Sequence, residues 1–377
     1  MDRESNKQKI LVTGGAGFIG GHLVDRLLSL DYSVVVLDSL ALPTHDGVLP
    51  AWFPAGAEFI QGDVRKKEDW VKALKGVDIV YHLAGYMDFL PDYSTYYDVN
   101  SSSAALLYEV IHENNFPIKK IIGASSQAVY GEGKYYCDSC GIVYPLPRIK
   151  EMLDAGNWDV VCPKCGKKAQ SMIEDENDFT IQNNPYSISK RSMEQTMIFL
   201  GNHLTIPSYA LRYTIVHGPR QSIRHFYSGA LRQFVSMALA GLPISMHEDG
   251  KQLRDFVHIS DVIDAHMLLL ERNDVPSGIY NIGSGRANTV YELAETVVKN
   301  LGIEFSPLLK GQYRVGNARN SVADVSKLKK IGWSPRKTLD DNVKDYIIWV
   351  KSDSQVENNL KKGAEKIEIQ DPVRKIN

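Results

Sequence analysis

Tyr186 and Lys190, in "NNPYSISKRSMEQ", stand four positions apart, a spacing that puts both on one face of a helix, one turn from each other. A tyrosine with its ordinary pKa of about 10 is a poor base at neutral pH, but a nearby ammonium stabilises the phenolate and lowers that value. The pair is therefore a candidate proton-transfer unit, although Tyr-x-x-x-Lys also arises by chance in many helices. A second observation supports it. "IIGASSQAVYG" ends a fifth β-branched run, and open α/β sheets bind ligands outside the carboxyl ends of their strands.

"ILVTGGAGFIGGHLVDRLL" places Gly14, Gly17 and Gly20 at the junction of a strand and a helix. Small residues there let the turn tighten and let a pyrophosphate approach backbone amides at the helix N-terminus. The next strand ends at Asp38, where a carboxylate can accept hydrogen bonds from both hydroxyls of an adenosine ribose and would repel a 2′-phosphate. NAD is expected rather than NADP. Asp63, in "QGDV" after the third strand, is placed to meet the adenine edge.

All four cysteines form two Cys-x-x-Cys pairs, Cys137/Cys140 and Cys162/Cys165. With "CPKCG" supplying a glycine that frees backbone amides to face sulfur, this is zinc-ribbon spacing. Four thiolates saturate a tetrahedral ion and leave no open position for water, so a structural Zn2+ is expected; redox disulfides or a rubredoxin-like iron site are the alternatives.

These residues need a scaffold, and the sequence implies one. "KILVTG", "SVVVLD", "AEFIQGD", "DIVYHLAG" and "KKIIGASS" alternate with amphipathic stretches, the signature of βαβ units. Strands that are apolar without alternation are buried on both faces, so the fold class expected is α/β, a doubly wound parallel sheet (Rossmann). The division expected is an NAD-binding domain over 1–205 with an insertion at 132–178, then sheet completion and a smaller substrate lobe over 206–350. The polar tail 351–377 is expected to be loosely packed. A net charge of −2 argues against a nucleic-acid binder. No apolar run of membrane-spanning length occurs and the N-terminus lacks a signal-like core, so a cytoplasmic protein without membrane contact is expected.

"TGGAGFIG", "HLAG", "DVN", "SSQAVYG", "PYSISK", "LRYTIVHGPR", "RDFVHISD" and "YNIGSG", spread from Lys9 to about Val350, together resemble the extended short-chain dehydrogenase/reductase family of nucleotide-sugar epimerases and dehydratases. The resemblance implies that Ser126 is the catalytic Ser/Thr, Tyr186 the base, and Lys190 its partner, which also holds the nicotinamide ribose. It also implies cofactor contacts from Phe18, Ile19, Val64, Leu83, Ala84, Gly85 and Asn100, and substrate contacts from Ser126, Gln127, Arg254 and Arg314, the two arginines at the diphosphate of a nucleotide-diphosphate sugar. The acidic pair that follows the catalytic Ser/Thr in dehydratases is replaced by Gln127 and Ala128, which disfavours dehydration. A 4-epimerase that oxidises a sugar hydroxyl and re-reduces the ketone on its other face needs no further acid or base.

Two positions depart from the family pattern. Ile215 stands where an asparagine often contacts substrate, and Asn317 where an acid is common. The 60 positions from Ser126 to Tyr186 are about twice what the family commonly uses, and the excess carries the cysteines. That insertion, with "FYSGALRQF" and "HEDGKQLRDFVHISDV", is similar to the dTDP-L-rhamnose 4-epimerase-like branch. A reductase or dehydrogenase, or an epimerase of a UDP-, GDP- or CDP-sugar, is the alternative. Family resemblance further implies a homodimer through the Tyr186 helix and the one near Tyr96–Asn114, with Met193, Met197 and Leu200 either lining that interface or lying in the core.

Overall fold

A computed structural model describes residues 8–42, 44–88, 90–222 and 229–370. The chain begins with β1 (Lys9–Thr13), α1 (Phe18–Ser29), β2 (Ser33–Asp38), β3 (Glu58–Gln61), α2 (Lys67–Ala73) and β4 (Ile79–His82). A short α3 (Tyr93–Tyr96) runs through a π-helical stretch, Tyr97–Ser102, into α4 (Ser103–Asn114), followed by β5 (Lys120–Ser126). The insertion contributes β6 (Tyr135–Cys137), β7 (Gly141–Val143), α5 (Lys150–Asp154) and β8 (Gln170–Ser171). Next come α6 (Pro185–His203), β9 (Ser208–Tyr213), β10 (Ile215–His217), α7 (Gly229–Leu239), β11 (Ile244–Met246), β12 (Leu253–Arg254) and β13 (Phe256–His258). The remainder is α8 (Ile259–Glu271), β14 (Gly278–Ile282), β15 (Asn288–Thr289), α9 (Val290–Leu301), β16 (Pro307–Leu309), α10 (Ser326–Lys329), α11 (Leu339–Ser352) and α12 (Ser354–Gln370).

The central sheet has seven strands in the order β14-β9-β5-β4-β1-β2-β3. β1 pairs in parallel with β2 on one side, Val12 opposite Val36, and with β4 on the other, Val12 opposite Tyr81. The chain thus winds outward to β3 and then crosses β1 to lay down β4 and β5, the reversal of a doubly wound fold. Its strands are apolar runs because both faces are covered: Val34 to Leu37 and Ile79 to Tyr81 are all buried.

Two compact units are present, each assembled from separate stretches of chain. The first is Met1–Ser125 with Ser189–Arg212 and Ile263–Tyr280. In its core Leu11, Val80 and Ile121 of the sheet pack with Trp70, Leu107 and Met197 from helices; full burial of each large apolar side chain contributes about 1.5–3 kcal/mol. Met193 and Met197 are fully buried in this core, with Leu200 packed against it. The second unit is Ser126–Ile188 with Tyr213–Val262 and Asn281–Asn377. Its core unites α7, α9 and α11 through Leu231, Val235, Leu293, Val297, Tyr346 and Ile347.

These units cut across the collinear division 1–205 and 206–350, because 126–188 and 189–212 fall in different units. The tail also differs from expectation. α12 packs on α7 with Leu360 and Ala364 buried and Val356 against the core. Three small apolar residues at a four-residue repeat give a stripe one side chain wide, enough to seat a helix whose other faces are polar. Residues 371–377 of that tail lie outside the described residues.

Candidate active site

Local sequence explains the turn after β1. Gly14 has φ +69, and a Cβ there would lie 2.9 Å from the Ala84 backbone; a Cβ on Gly20 would lie 2.2 Å from the Gly14 carbonyl oxygen. Both positions are closed to any larger residue, so the turn brings α1 against β1 and the β1 turn against the loop after β4. Gly17 caps α1 in extended conformation without a side-chain bond, which leaves the first amides of the helix, those of Phe18, Ile19 and Gly20, without intrahelical acceptors. Asp38 is buried; its Oδ2 accepts from Ala16 N (3.1 Å) and its Oδ1 from Leu40 N (2.9 Å). Each oxygen keeps a second lone pair.

A chain of hydrogen bonds fixes this cradle from beneath. Ser103 Oγ donates to the Val99 carbonyl at 2.6 Å, so its single proton is spent and it must accept from His82 Nε2 at 3.0 Å. His82 Nδ1 then accepts from Thr13 Oγ1 at 2.9 Å, and Thr13 Oγ1 accepts from Ala84 N at 3.1 Å. Burial, with a smaller push from the Lys190 charge, lowers the His82 pKa to about 3 and keeps the ring neutral, consistent with one donor and one acceptor nitrogen. The π-helical stretch, the glycine turn and the Leu83–Ala84–Gly85 loop are thereby tied together.

Asn100 is fully buried and serves as a clamp. Its Oδ1 accepts from Tyr86 N (2.8 Å) while Nδ2 donates to Tyr86 O (2.9 Å) and Ser189 Oγ (3.0 Å). Lys190 Nζ, one residue on, donates to Ala124 O at 2.8 Å. A Cβ on Gly85 would meet Lys190 Nζ at 3.0 Å and Asn100 Oδ1 at 3.3 Å, so Gly85, Asn100 and Lys190 converge. Burial lowers the Lys190 pKa from 10.5 to about 8, with Glu194 opposing the shift.

Asp63, after β3, is paired with a neighbour. Arg65 donates to both of its oxygens, Nε to Oδ1 at 3.0 Å and Nη2 to Oδ2 at 2.6 Å. Burial alone would raise its pKa, but the Arg65 bonds outweigh that and hold it below the ordinary value. Val64 is a core residue whose carbonyl accepts from Trp70 Nε1 at 2.7 Å.

In the second unit, Ser126 ends β5 and caps the 3-10 turn Gln127–Tyr130, its Oγ accepting from Ala128 N at 3.1 Å. Gln127 Oε1 accepts from Ser321 Oγ at 3.2 Å. Tyr186 lies in the first turn of α6, and that turn is specified by Asn184. Asn184 Oδ1 accepts from Ser187 N (2.8 Å), and Ser187 Oγ accepts from Asn184 N (3.2 Å). Pro185 occupies the first helical position, where its missing N–H costs nothing. Asn184 thus acts as a helix cap, while Asn183 Nδ2 reaches the Gly316 carbonyl at 2.6 Å.

Arg254 donates Nη1 to Leu253 O and Arg319 O and Nη2 to Ala318 O, fixing the chain that follows Arg314. Residues 314–320 are irregular. Sequence reasoning singled out the two arginines of this region but missed Glu132, Glu174 and Arg148, whose partners lie far away in sequence.

The cysteines meet. Cys137 and Cys140 flank the β6–β7 turn, where Cys140 N donates to Cys137 O (3.1 Å); Cys162 and Cys165 sit in a second turn, where Gly166 N donates to Cys162 O (2.9 Å). All four sulfurs lie within 4.8 Å of one another, and Cys137 Sγ is 3.6 Å from Cys165 Sγ. A tetrahedron with metal–sulfur bonds of about 2.3 Å has edges of about 3.8 Å, whereas a disulfide needs about 2.05 Å. The donor set fits a tetrahedral thiophilic ion. Burial opposes ionisation of Cys162, but the amides of Lys164 and Cys165 outweigh it and bring the thiol down to about 7.

The chain is similar to known proteins along most of its length. The model of a family described as NAD dependent epimerase/dehydratase matches residues 10–144 and 161–283, breaking inside the insertion. The dTDP-L-rhamnose 4-epimerase of Burkholderia thailandensis is 31% identical over 360 residues, covering 93% of this chain and 97% of the relative. Among solved structures, UDP-glucose 4-epimerase of Thermotoga maritima with UDP-glucose superposes with a TM-score of 0.74 at 26% identity, covering 92% of this chain and 99% of the other. UDP-glucuronic acid 4-epimerase of Bacillus cereus in complex with NAD does so with a TM-score of 0.73 at 26% identity and the same coverage. This chain belongs to the NAD dependent epimerase/dehydratase family.

Proposed function

We propose that this protein is an NAD-dependent nucleotide-sugar 4-epimerase. The observation that carries the reading is Tyr186 one turn before a buried Lys190 whose Nζ lies beside Gly85 and Asn100, in a chain whose glycine turn admits no side chain at Gly14 or Gly20. Gly14, Gly17 and Gly20 with Asp38 would hold NAD, which supplies a hydride acceptor and then a hydride donor. Ser126 bonds the reacting sugar oxygen. Tyr186 takes its proton and later returns it, and the Lys190 ammonium stabilises the phenolate in between. Gln127 and Ala128 provide no acid for eliminating water. Arg254 and Arg314 bind the diphosphate. Asp63, whose carboxylate is also paired with Arg65, meets the adenine edge.

A dTDP-6-deoxyhexose such as dTDP-L-rhamnose is the substrate proposed, supported by the near full-length likeness to the Burkholderia enzyme; UDP-sugars are the alternative, supported by the Thermotoga and Bacillus structures. The four cysteines hold a structural zinc. Exposed Ile188 and Phe199, eleven positions apart and so on one face of α6, support a homodimer through that helix. Among the described residues no helix is long and apolar enough to cross a membrane, and a cytoplasmic location is proposed with that in view.

The test is to incubate the protein, without added cofactor, with dTDP-, UDP-, GDP- and CDP-sugars and follow the H4 and anomeric resonances. Interconversion of C4 epimers without net NADH formation is expected, and Tyr186→Phe is expected to abolish it with folding intact. Stoichiometric NADH turnover would replace this reading with that of a reductase.

A further inference from the structure

The segment Tyr313–Asp324 holds Arg314 yet has almost no regular structure of its own. A half-buried chain of that kind must find partners for its peptide groups elsewhere. It finds some in Leu253, Arg254, Asp255 and Asn281 and the others in the insertion and its flanks. Gly316 O accepts from Asn183 Nδ2 (2.6 Å) and Asn317 O from Arg148 Nη2 (2.9 Å); Arg319 N donates to Glu132 Oε1 (2.6 Å). Beyond these, Glu174 N donates to Val322 O (2.9 Å) and Asp324 N to Glu174 O (2.8 Å).

Arg148 is the hub. It is 7% exposed and its two terminal nitrogens are saturated: Nη1 on Trp158 O (3.2 Å) and Glu248 Oε2 (3.0 Å), Nη2 on Glu248 Oε1 (2.9 Å) and Asn317 O (2.9 Å). Trp158 lies just before the second cysteine pair, so one guanidinium joins the cysteine-bearing insertion to the Arg314 segment. Glu248 receives Arg319 as well, Nη1 to Oε2 at 2.7 Å. Its backbone sits at φ +51, a left-handed conformation that a residue with a side chain keeps only where its surroundings fix it. Its amide donates to Gln312 O at 2.7 Å, just before the same segment.

We propose that Arg148 is a positioning residue for nucleotide-sugar binding: through Asn317 O and Glu248 it transmits the order of the cysteine-bearing insertion to the segment that carries Arg314. This rests on the reading of Arg314 and Arg254 as diphosphate contacts. A lysine in place of Arg148 can pair with Glu248 as a point charge but lacks the planar fork that bonds Glu248 and Asn317 O together.

The experiment uses full-length protein carrying its own NAD and metal, as wild type, Arg148→Met and Arg148→Lys. It measures dTDP and UDP binding by calorimetry, NAD and zinc content, and hydrogen exchange of peptides covering 312–324. In Arg148→Met the nucleotide dissociation constant is expected to rise about tenfold, with faster exchange in 312–324 and NAD content unchanged. Arg148→Lys is expected to fall in between. Unchanged affinity in Arg148→Met beside a wild type that binds overturns the inference alone, and so does loss of NAD with faster exchange throughout, which would make Arg148 a general folding residue. A wild type that binds neither nucleotide overturns the diphosphate reading and the inference with it.

Discussion

Removing the charge of Glu194 is expected to be among the costliest single changes to this protein. Glu194 on α6 has no exposed surface, and Arg212 beneath it is 1% exposed. Arg212 donates Nε to Oε1 (2.8 Å) and Nη2 to Oε2 (2.9 Å), while Ser125 Oγ and Arg191 Nη1 complete the carboxylate at 2.6 and 2.8 Å. Glu194→Gln keeps the volume but turns one acceptor into a donor that faces Arg212 or Arg191. It withdraws the negative charge that Glu194 sets against the buried Arg212 cation, a loss of about 3–5 kcal/mol. Replacing both partners with apolar residues, Glu194→Leu with Arg212→Met, removes the unpaired charge and is expected to recover most of that, since apolar substitutes for buried ion pairs are often neutral or stabilising. The assay is urea unfolding at saturating NAD of wild type, Glu194→Gln, Glu194→Leu, Arg212→Met and the Glu194→Leu/Arg212→Met double variant, the last three being analysed with wild type as a cycle. A loss under about 1 kcal/mol for Glu194→Gln, or a double variant no better than the singles, would refute the reasoning.

Lys190 gives a pH prediction. In the proposed mechanism its ammonium is the form that stabilises the Tyr186 phenolate, and with its pKa lowered by burial to about 8, kcat is expected to decline as pH rises through that value; a plateau to pH ~10 would contradict it. Stability runs the other way. Between the folded value near 8 and the ordinary 10.5 the unfolded chain binds more protons, so this group's contribution, up to about 3 kcal/mol, grows with rising pH and is lost as pH falls through 8. Metal removal is the last test. The insertion's own core is little more than Tyr135, Val143, Val160 and Ala169 around Cys137 and Cys162, too small to fold unaided. Chelation is therefore expected to abolish exchange protection over 135–171 while β1 to β5 stay protected, and protection that survives metal loss would show the cluster to be dispensable.

Much of this was legible in the sequence where local chemistry decides structure. Buried parallel strands must be apolar throughout, so "SVVVLD" and "DIVYHLAG" declare themselves, and Gly20 is dictated by the Gly14 carbonyl in the same turn, while Gly14 answers both to its positive φ and to the distant Ala84 backbone. The cysteine pairs announce a cluster of four sulfurs by spacing alone. What stayed hidden depends on partners distant in sequence. The Arg65 fork on Asp63 is a nearer contact that the spacing did not announce. Arg148 reads as a surface cation until Glu248, 100 positions on, closes over it. The two units could not be read as segments, because α6 passes from one to the other between Ile188 and Ser189. α12 was obscured by its composition, although Val356, Leu360 and Ala364 carried the signal at helical spacing.

The bonds through Ala84, Thr13, His82 and Ser103 all point the same way, each group spending its one hydrogen on the next. Adding a proton to Nδ1 of His82 would make it a second donor and force the Thr13 hydroxyl to accept from it and turn its own hydrogen elsewhere. Because burial holds that ring neutral down to about pH 3, such a reversal is out of reach in mild acid. The turn proposed to receive the dinucleotide is built to ignore acidity across a range in which most histidines change state, leaving Lys190 as the member of this unit's proposed site that responds to it on the alkaline side.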